Sequence, residues 1–237
     1  MTESLLRLEA VQASYGQSRI LFDVSLTVGR GEMVGLLGRN GMGKTTTVRA
    51  VTGQLPASGG DIVFKGKSIR SMPSHLLGRM GIGLVPEGRR IFPNLTVREN
   101  LVAAAANRSG RPDPWTLERV LALFPRLAER LGNWGSQLSG GEQQMLAVGR
   151  ALMINPDLLI LDEATEGLAP IVRDVIWSAL RQLKSEGLSI LVIDRNLRQM
   201  MEVGDRHHII EKGRTVWTGP SQAFLSEPSL KGRYLSV

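Results

Sequence analysis

Eight consecutive residues, Gly38-Arg39-Asn40-Gly41-Met42-Gly43-Lys44-Thr45, carry the spacing G-x-x-x-x-G-K-[ST]. Glycines in such a loop let backbone N–H groups come close to phosphate oxygens, and a helix that starts where the loop ends lays the positive end of its dipole on the same anion. Lys44 is then expected to reach β- and γ-phosphates, and the Thr45 hydroxyl to bind Mg²⁺. The expected nucleotide contacts are Gly38, Asn40, Gly41, Gly43, Lys44, Thr45 and Thr46. The competing reading is a glycine-rich turn that merely ends a strand. The apolar run before the loop and the helical pattern after it favour the phosphate loop.

A second constellation is Leu158-Leu159-Ile160-Leu161-Asp162-Glu163. Four apolar residues predict a buried strand, and two carboxylates at its C-terminal end fall on the sheet edge where α/β proteins bind ligands. Asp162 is then the expected Mg²⁺ partner through water, and Glu163 the residue that polarises an attacking water. Alone, this pattern also fits a strand that ends in an acidic helix cap. Beside a phosphate loop it acquires a catalytic meaning.

The third string is Leu138-Ser139-Gly140-Gly141-Glu142-Gln143-Gln144. Ser139 and Glu142 satisfy the S-x-x-E capping box. Two successive glycines inside the box leave backbone N–H groups uncovered, as an anion site would. This string resembles the signature motif of ATP-binding-cassette (ABC) ATPases, and it lies about twenty residues before the Asp162-Glu163 strand, as in that family. The resemblance implies a P-loop NTPase fold of the ABC type, an α/β core with an antiparallel β subdomain and a helical insertion over about residues 75–145, all within one domain spanning 1–237. It also implies ATP and Mg²⁺ as ligands. In the family the signature contacts ATP held by the opposite subunit, so a head-to-tail dimer is implied, with Ser139, Gly140, Gly141 and Glu142 facing the partner's nucleotide.

The resemblance runs along essentially the whole chain. Tyr15 matches the aromatic residue that stacks on adenine, and Glu166-Gly167-Leu168 matches the loop that signals across the dimer. Two positions depart from the common pattern. Glu87, in Val85-Pro86-Glu87-Gly88-Arg89, stands where most members have a glutamine; a carboxylate there can bind the metal through water but cannot donate a hydrogen bond while ionised. Arg195 stands where most members have a switch histidine, and meets a γ-phosphate as a fixed cation with several donors. The catalytic set implied is Lys44, Glu87, Glu163 and Arg195, and the metal set is Thr45, Glu87 and Asp162.

The stretch from Val85 to Leu101, the Ser139 string and Glu166-Gly167-Leu168-Ala169-Pro170 are similar to the second ATPase subunit of branched-chain amino-acid importers, the LivF type. Urea and short-chain amide importers carry close relatives. The partners this resemblance implies are a second, non-identical ATPase subunit, two transmembrane permeases and, indirectly, a periplasmic solute-binding protein. It also implies a peripheral place on the cytoplasmic face of the inner membrane. Nucleic acid is not an expected partner, because neither a second cassette nor a long coiled-coil insertion accompanies the basic charge.

The elements that must hold these residues are set by local pattern. Segments 6–10 and 21–28 alternate as strands, 33–37 is an apolar run entering the loop, and 45–51 starts a helix. A hairpin is expected over 61–64 and 67–69. Thr96 and Glu99 cap a helix running through 106, residues 115–131 have helical apolar spacing, and 108–114 is a loop. After 141 the α/β alternation returns: helix 145–153, strand 158–161, helix 171–183, strand 190–193. Residues 208–217 form a last hairpin about Lys212-Gly213. His207-His208 is not read as a metal site, since adjacent strand residues face opposite ways and no third ligand is near. Trp115, Trp134, Trp177 and Trp217 are read as core and interface residues.

The 237 residues are 42% hydrophobic and 22% charged, the balance of a globular chain, with a formal charge of +7 that favours anionic partners. Apolar stretches such as 101–106 are far shorter than a membrane span needs. Glu3, Arg7 and Glu9 exclude a signal-peptide core from the first ten residues. Without cysteine, no disulfide, thiolate metal site or thiol nucleophile forms.

Overall fold

In a computed structural model, which describes residues 4–108, 110 and 112–235, the N-terminal alternation becomes two long strands, β1 (Ser4–Tyr15) and β2 (Ser18–Gly29). They pair antiparallel through a tight turn at Gly16-Gln17. The next predicted hairpin is β4 (Ala57–Phe64) and β5 (Lys67–Ser68), and β4 pairs antiparallel with β1. Glu3, and residues 109 and 111 of the predicted 108–114 loop, lie outside the described residues.

The fully apolar strands form the parallel part of the sheet. They are β3 (Met33–Leu37), β6 (Ile82–Val85), β7 (Leu158–Asp162) and β8 (Ser189–Ile193). A further hairpin, β9 (Arg206–Glu211) and β10 (Arg214–Pro220), completes a ten-stranded order β5-β4-β1-β2-β10-β9-β3-β8-β7-β6. The antiparallel and parallel parts are joined between β2 and β10, with Arg214 opposite Asp23 and a hydrogen bond from the Ser25 amide to the Thr215 hydroxyl at 3.0 Å.

Strand periodicity divides the core in two. Leu159, Leu161, Ile190 and Val192 join one cluster, whereas Leu158, Ile160, Leu191 and Ile193 join the other. Each alternate residue therefore meets a different covering layer, which is why these runs show no polar alternation. One layer holds α1 (Lys44–Val51), α2 (Ser74–Met80) and the antiparallel strands. The other holds α3 (Val97–Ala104), α4 (Leu117–Leu123), α5 (Pro125–Ala128), α6 (Gly140–Met153), α7 (Pro170–Ser185) and α8 (Leu197–Val203). The terminal helices α9 (Ser221–Leu225) and α10 (Pro228–Tyr234) pack on that same side through Phe224, Leu230 and Tyr234.

Three segments differ from the sequence expectation. Within the span of about 75–145, Ile82–Val85 is a strand paired parallel to β7, so a sheet strand separates α2 from α3–α6. The stretch 115–131 is two helices rather than one, broken where Pro125 cannot donate a helical hydrogen bond and displaces Phe124 from helical geometry. The helix capped by Thr96 and Glu99 ends at Ala104, short of 106, and Ala106 and Trp115 are each tied to Asn155. That buried side chain, at φ 56°, accepts from the Trp115 amide at 2.6 Å and donates to the Ala106 carbonyl at 3.1 Å.

His207 and His208 are both buried, on opposite faces of β9, bonded to Ser221 and Thr218 respectively at 2.8 Å. Trp115 and Trp177 are core residues, Trp217 packs against the core, and Trp134 is exposed.

Candidate functional site

The loop between β3 and α1 turns where side chains do not fit. A Cβ on Gly38, at φ 141°, would stand 2.3 Å from the Ile210 carbonyl oxygen of β9. Gly43, at φ 108°, caps α1 without a side-chain hydrogen bond, and no acidic residue occupies the first turn. The first-turn amides and the positive end of the dipole are therefore left to an external anion. Lys44 lies folded back on its own loop, its Nζ donating to the Gly38 carbonyl at 2.7 Å and the Arg39 carbonyl at 2.9 Å. Burial lowers its pKa, against the opposing pull of the Glu163 carboxylate. To meet a phosphate, it exchanges two carbonyls for anionic oxygens.

At the end of β7, Asp162 is almost fully buried and accepts from the Thr45 hydroxyl at 3.2 Å. Burial raises its pKa; the Thr45 bond opposes this, and the Glu87 charge adds to it. Thr45, Glu87 and Asp162, with Arg49, line a cavity of about 350 Å³. Two carboxylates and a hydroxyl, all hard oxygen donors, fit Mg²⁺. Among the described residues no group of three or more His, Cys, Asp or Glu could hold a metal by itself. Coordination positions thus remain for phosphate and water, as is usual for Mg²⁺.

The next residue, Glu163, sits at φ 51°, a left-handed backbone that a non-glycine residue adopts at a cost of order 1–3 kcal/mol. Its amide donates to the Ile193 carbonyl at 2.9 Å, which aims the turn toward the loop after β8. Its carboxyl is pushed up to about 7, first by a hydrogen bond shared with Glu166 and then by burial. Arg195 contacts both acids, Glu166 at 2.9 Å and Glu163 at 3.8 Å. Lys44, Glu163 and Arg195, with Gly38 and Asn40, line a second cavity of about 630 Å³. The sequence-predicted residues thus surround the phosphate loop on two sides, one with Thr45, Asp162 and Glu87, the other with Lys44, Glu163 and Arg195.

Tyr15 ends β1, with 42% of its surface exposed, and its hydroxyl accepts from Arg49 at 2.9 Å. Thr46 is buried under the first turn of α1. Ser139 caps α6: its hydroxyl accepts from the Glu142 amide at 3.3 Å, and Glu142 accepts from the Ser139 amide at 2.8 Å. The glycines between them have a packing reason as well. A Cβ on Gly140 would lie 2.5 Å from the Arg89 guanidinium, and one on Gly141 would lie 2.7 Å from Val172. Neither cavity that flanks the phosphate loop takes a lining residue from 139–142.

Arg49 and Arg89 were not among the expected site residues, and Glu166, read as part of the loop that signals across the dimer, was not expected beside Glu163. Arg49 lies one helical turn after Thr45, a spacing that places it beside that group, and Glu166 lies in the turn after Glu163, its amide donating to the Glu163 carbonyl at 3.3 Å. No local signal puts Arg89 over Gly140.

A family model described as ABC transporter matches residues 21–166. The chain is 40% identical over 231 residues to the high-affinity branched-chain amino acid transport ATP-binding protein BraG of Pseudomonas aeruginosa, covering 98% of this chain and 99% of that protein. It is 36% identical over 234 residues to the lipopolysaccharide export system ATP-binding protein LptB of Haemophilus influenzae, covering 98% and 97%. Among solved structures, MJ1267, an ATP-binding cassette of an ABC transporter, aligns with a TM-score of 0.84 at 26% identity over 98% of both chains.

Proposed function

The chain belongs to the ABC transporter family, and we propose that it is the ATP-hydrolysing subunit of an importer for branched-chain amino acids, with the phosphate loop, Asp162, Glu163 and the Ser139 helix as its working parts. The observation that carries the chemistry is the convergence of Lys44, Glu163 and Arg195 on one cavity beside the phosphate loop. The solute class rests on the identity to BraG, which is higher than that to LptB over nearly the same length.

In this reading the amides of the loop and of the first turn of α1 bind the triphosphate, and Lys44 leaves its loop carbonyls for the β- and γ-phosphates. Tyr15 offers its exposed ring to adenine. Thr45, Asp162 and Glu87 hold Mg²⁺, which supplies charge neutralisation on the phosphate oxygens when bound. Glu163 polarises the attacking water and accepts its proton. Arg195 adds positive charge where the γ-phosphate leaves. Phosphoryl transfer to water asks the protein for positioning and charge rather than covalent chemistry.

Ser139, Gly140, Gly141 and Glu142 act on the nucleotide of a second ATPase subunit docked head to tail. The reading in trans is supported by the absence of residues 139–142 from both cavities that flank this chain's own phosphate loop. ATP then bridges two surfaces, and hydrolysis removes the bridge. The helical segment α3–α6 passes that change to two transmembrane permeases. Among the described residues no helix is long and apolar enough to cross a membrane. In this reading the chain sits peripherally at the cytoplasmic face, and a periplasmic binding protein delivers solute from the other side.

The test is to co-purify this chain with the permeases and binding protein encoded beside it, and to titrate that binding protein with leucine, isoleucine, valine, urea and acetamide. Binding of the branched-chain amino acids is the expected result. Binding of urea or the amide alone moves the chain to that importer class, and a lipid-exporting partner without a binding protein overturns the import reading.

A further inference from the structure

The aromatic residue that ends β1 sits at the last, irregular pairs of the β1–β2 ladder. The β1–β2 register is irregular on both sides of Ala13, and the strand runs into a two-residue turn with Gly16 at φ 57°. What reaches the ring is Arg49, whose Nη1 donates to the Tyr15 hydroxyl at 2.9 Å across 34 positions of sequence. The guanidinium carbon stands 5.9 Å from the Tyr15 ring centroid, whereas Arg119 stacks on Trp115 at 4.2 Å. Arg49 therefore holds the ring by its hydroxyl and by a cation–π contact at the outer limit of that interaction, while 42% of the residue's surface stays exposed for a planar base.

Arg49 is rooted on α1, one turn beyond Thr45, and lines the same cavity as Thr45, Glu87 and Asp162. A single side chain thus ties the ring to the helix whose N-terminus cradles phosphate. With the ring held at a set distance from that cradle, a base and its phosphates find both contacts ready together. With the tie cut, ordering the ring becomes a cost of binding.

We infer that Arg49 is the positioning residue of the base platform, fixing the Tyr15 ring relative to the phosphate loop and so contributing to affinity for the base-bearing nucleotide rather than for phosphate. This rests on the reading of Tyr15 as the adenine platform. In this inference Arg49 acts through its contacts to Tyr15 and not on the base or the reacting atoms.

The test is binding of ATP, ADP and inorganic tripolyphosphate to the full chain, measured calorimetrically without divalent cations so that nothing is hydrolysed. Arg49→Met is expected to weaken ATP and ADP about five- to tenfold, the loss of one charge-assisted hydrogen bond, and to leave tripolyphosphate unchanged. Tyr15→Phe keeps the ring and removes the same bond, so it gives a similar loss, and adding Arg49→Met to it gives no more. Arg49→Lys, which keeps a cationic donor, restores part of the affinity. Equal weakening of tripolyphosphate would place Arg49 in the phosphate site and overturn the inference. So would unchanged ATP binding in Arg49→Met while Tyr15→Ala loses it. If Tyr15→Ala itself binds ATP normally, the platform reading falls and the role of Arg49 falls with it.

Discussion

Arg195 reaches Glu166 across 2.9 Å and stops 3.8 Å from Glu163, so one cation joins the loop after β8 to the turn after β7. The two acids are held close by that turn, in which the Glu166 amide donates to the Glu163 carbonyl at 3.3 Å. An arginine keeps its charge at any working pH and offers a planar fork of donors, which suits it to face two carboxylates or a phosphate. In the proposed reading, a γ-phosphate in the cavity that Arg195 and Lys44 line would compete with Glu166 for the guanidinium.

Arg195→Ala is therefore expected to lower phosphate release at saturating ATP about 10–100-fold, while the dissociation constant for ATP changes less than about threefold. Steady-state phosphate assays on the assembled transporter, with nucleotide titrations of the isolated chain, check both numbers. Turnover equal to the parent chain would place Arg195 outside the reaction.

Glu163 carries the sharper expectation. Glu163→Gln keeps the shape of the side chain but removes the base, so ATP binding persists while hydrolysis falls by a factor of about 10²–10⁴. ATP is then not consumed, and the loaded chain accumulates as a dimer with its ATPase partner, visible by sedimentation. Near-normal hydrolysis would refute the role.

Much of this architecture was legible because its signals are local. The four- and five-residue apolar runs of β3, β7 and β8 sit between glycine and acidic residues, and the G-x-x-x-x-G-K-T spacing lies within eight positions. What escaped depends on distance. Tyr15 and Arg49 are 34 residues apart, and Glu166 and Arg195 are 29, so only the folded sheet brings them together. β6 escaped for another reason: Ile82-Gly83-Leu84-Val85 is a four-residue edge strand with a glycine inside it. A Cβ on that glycine would stand 3.0 Å from Pro156 and 3.1 Å from the Ala151 carbonyl of α6, a closeness no propensity reveals. The break at Pro125 was readable in principle, but the helical spacing of its neighbours masked it.

Ser139→Arg tests the division of labour between subunits. The capping role is local to α6, whereas the proposed nucleotide contact belongs to the partner's ATP. The substitution costs a cap worth about 1 kcal/mol, too little to unfold the chain. Nucleotide binding to the isolated chain is thus expected to stay within about twofold, and turnover of the paired ATPases to be abolished. Loss of ATP binding in the isolated chain would show that the Ser139 helix acts on the chain's own nucleotide.

A last expectation concerns acid stability. In β9, His207 is lowered to about 4, by burial first and then by the neighbouring His208, and His208 is also lowered to about 4, by burial first and then by Arg206. The hydrogen bonds give the reason. Ser221 donates its hydroxyl proton to the Gly204 carbonyl at 2.6 Å, so it accepts from His207 Nε2–H at 2.8 Å. His207 Nδ1 is then the bare nitrogen, buried and without a partner. Protonating it places an N–H where nothing accepts. A folded pKa below the unfolded value of about 6.5 means that the unfolded chain takes up the proton first. The stability from neutral histidines is thus complete above about pH 6.5 and is lost as pH falls from there toward 4. At about 1.4 kcal/mol per pH unit, each histidine removes at most about 3 kcal/mol over that window. Glu163, raised to about 7, works with the opposite sign over the same window, because there the folded chain takes up the proton first. The histidines are therefore read in Glu163→Gln, whose urea midpoint is expected to fall between pH 7.5 and pH 5. Adding His207→Gln, whose amide keeps a donor for Ser221 and cannot take a proton, is expected to flatten that slope by up to half. A Glu163→Gln chain equally stable at both pH values would contradict this account of β9.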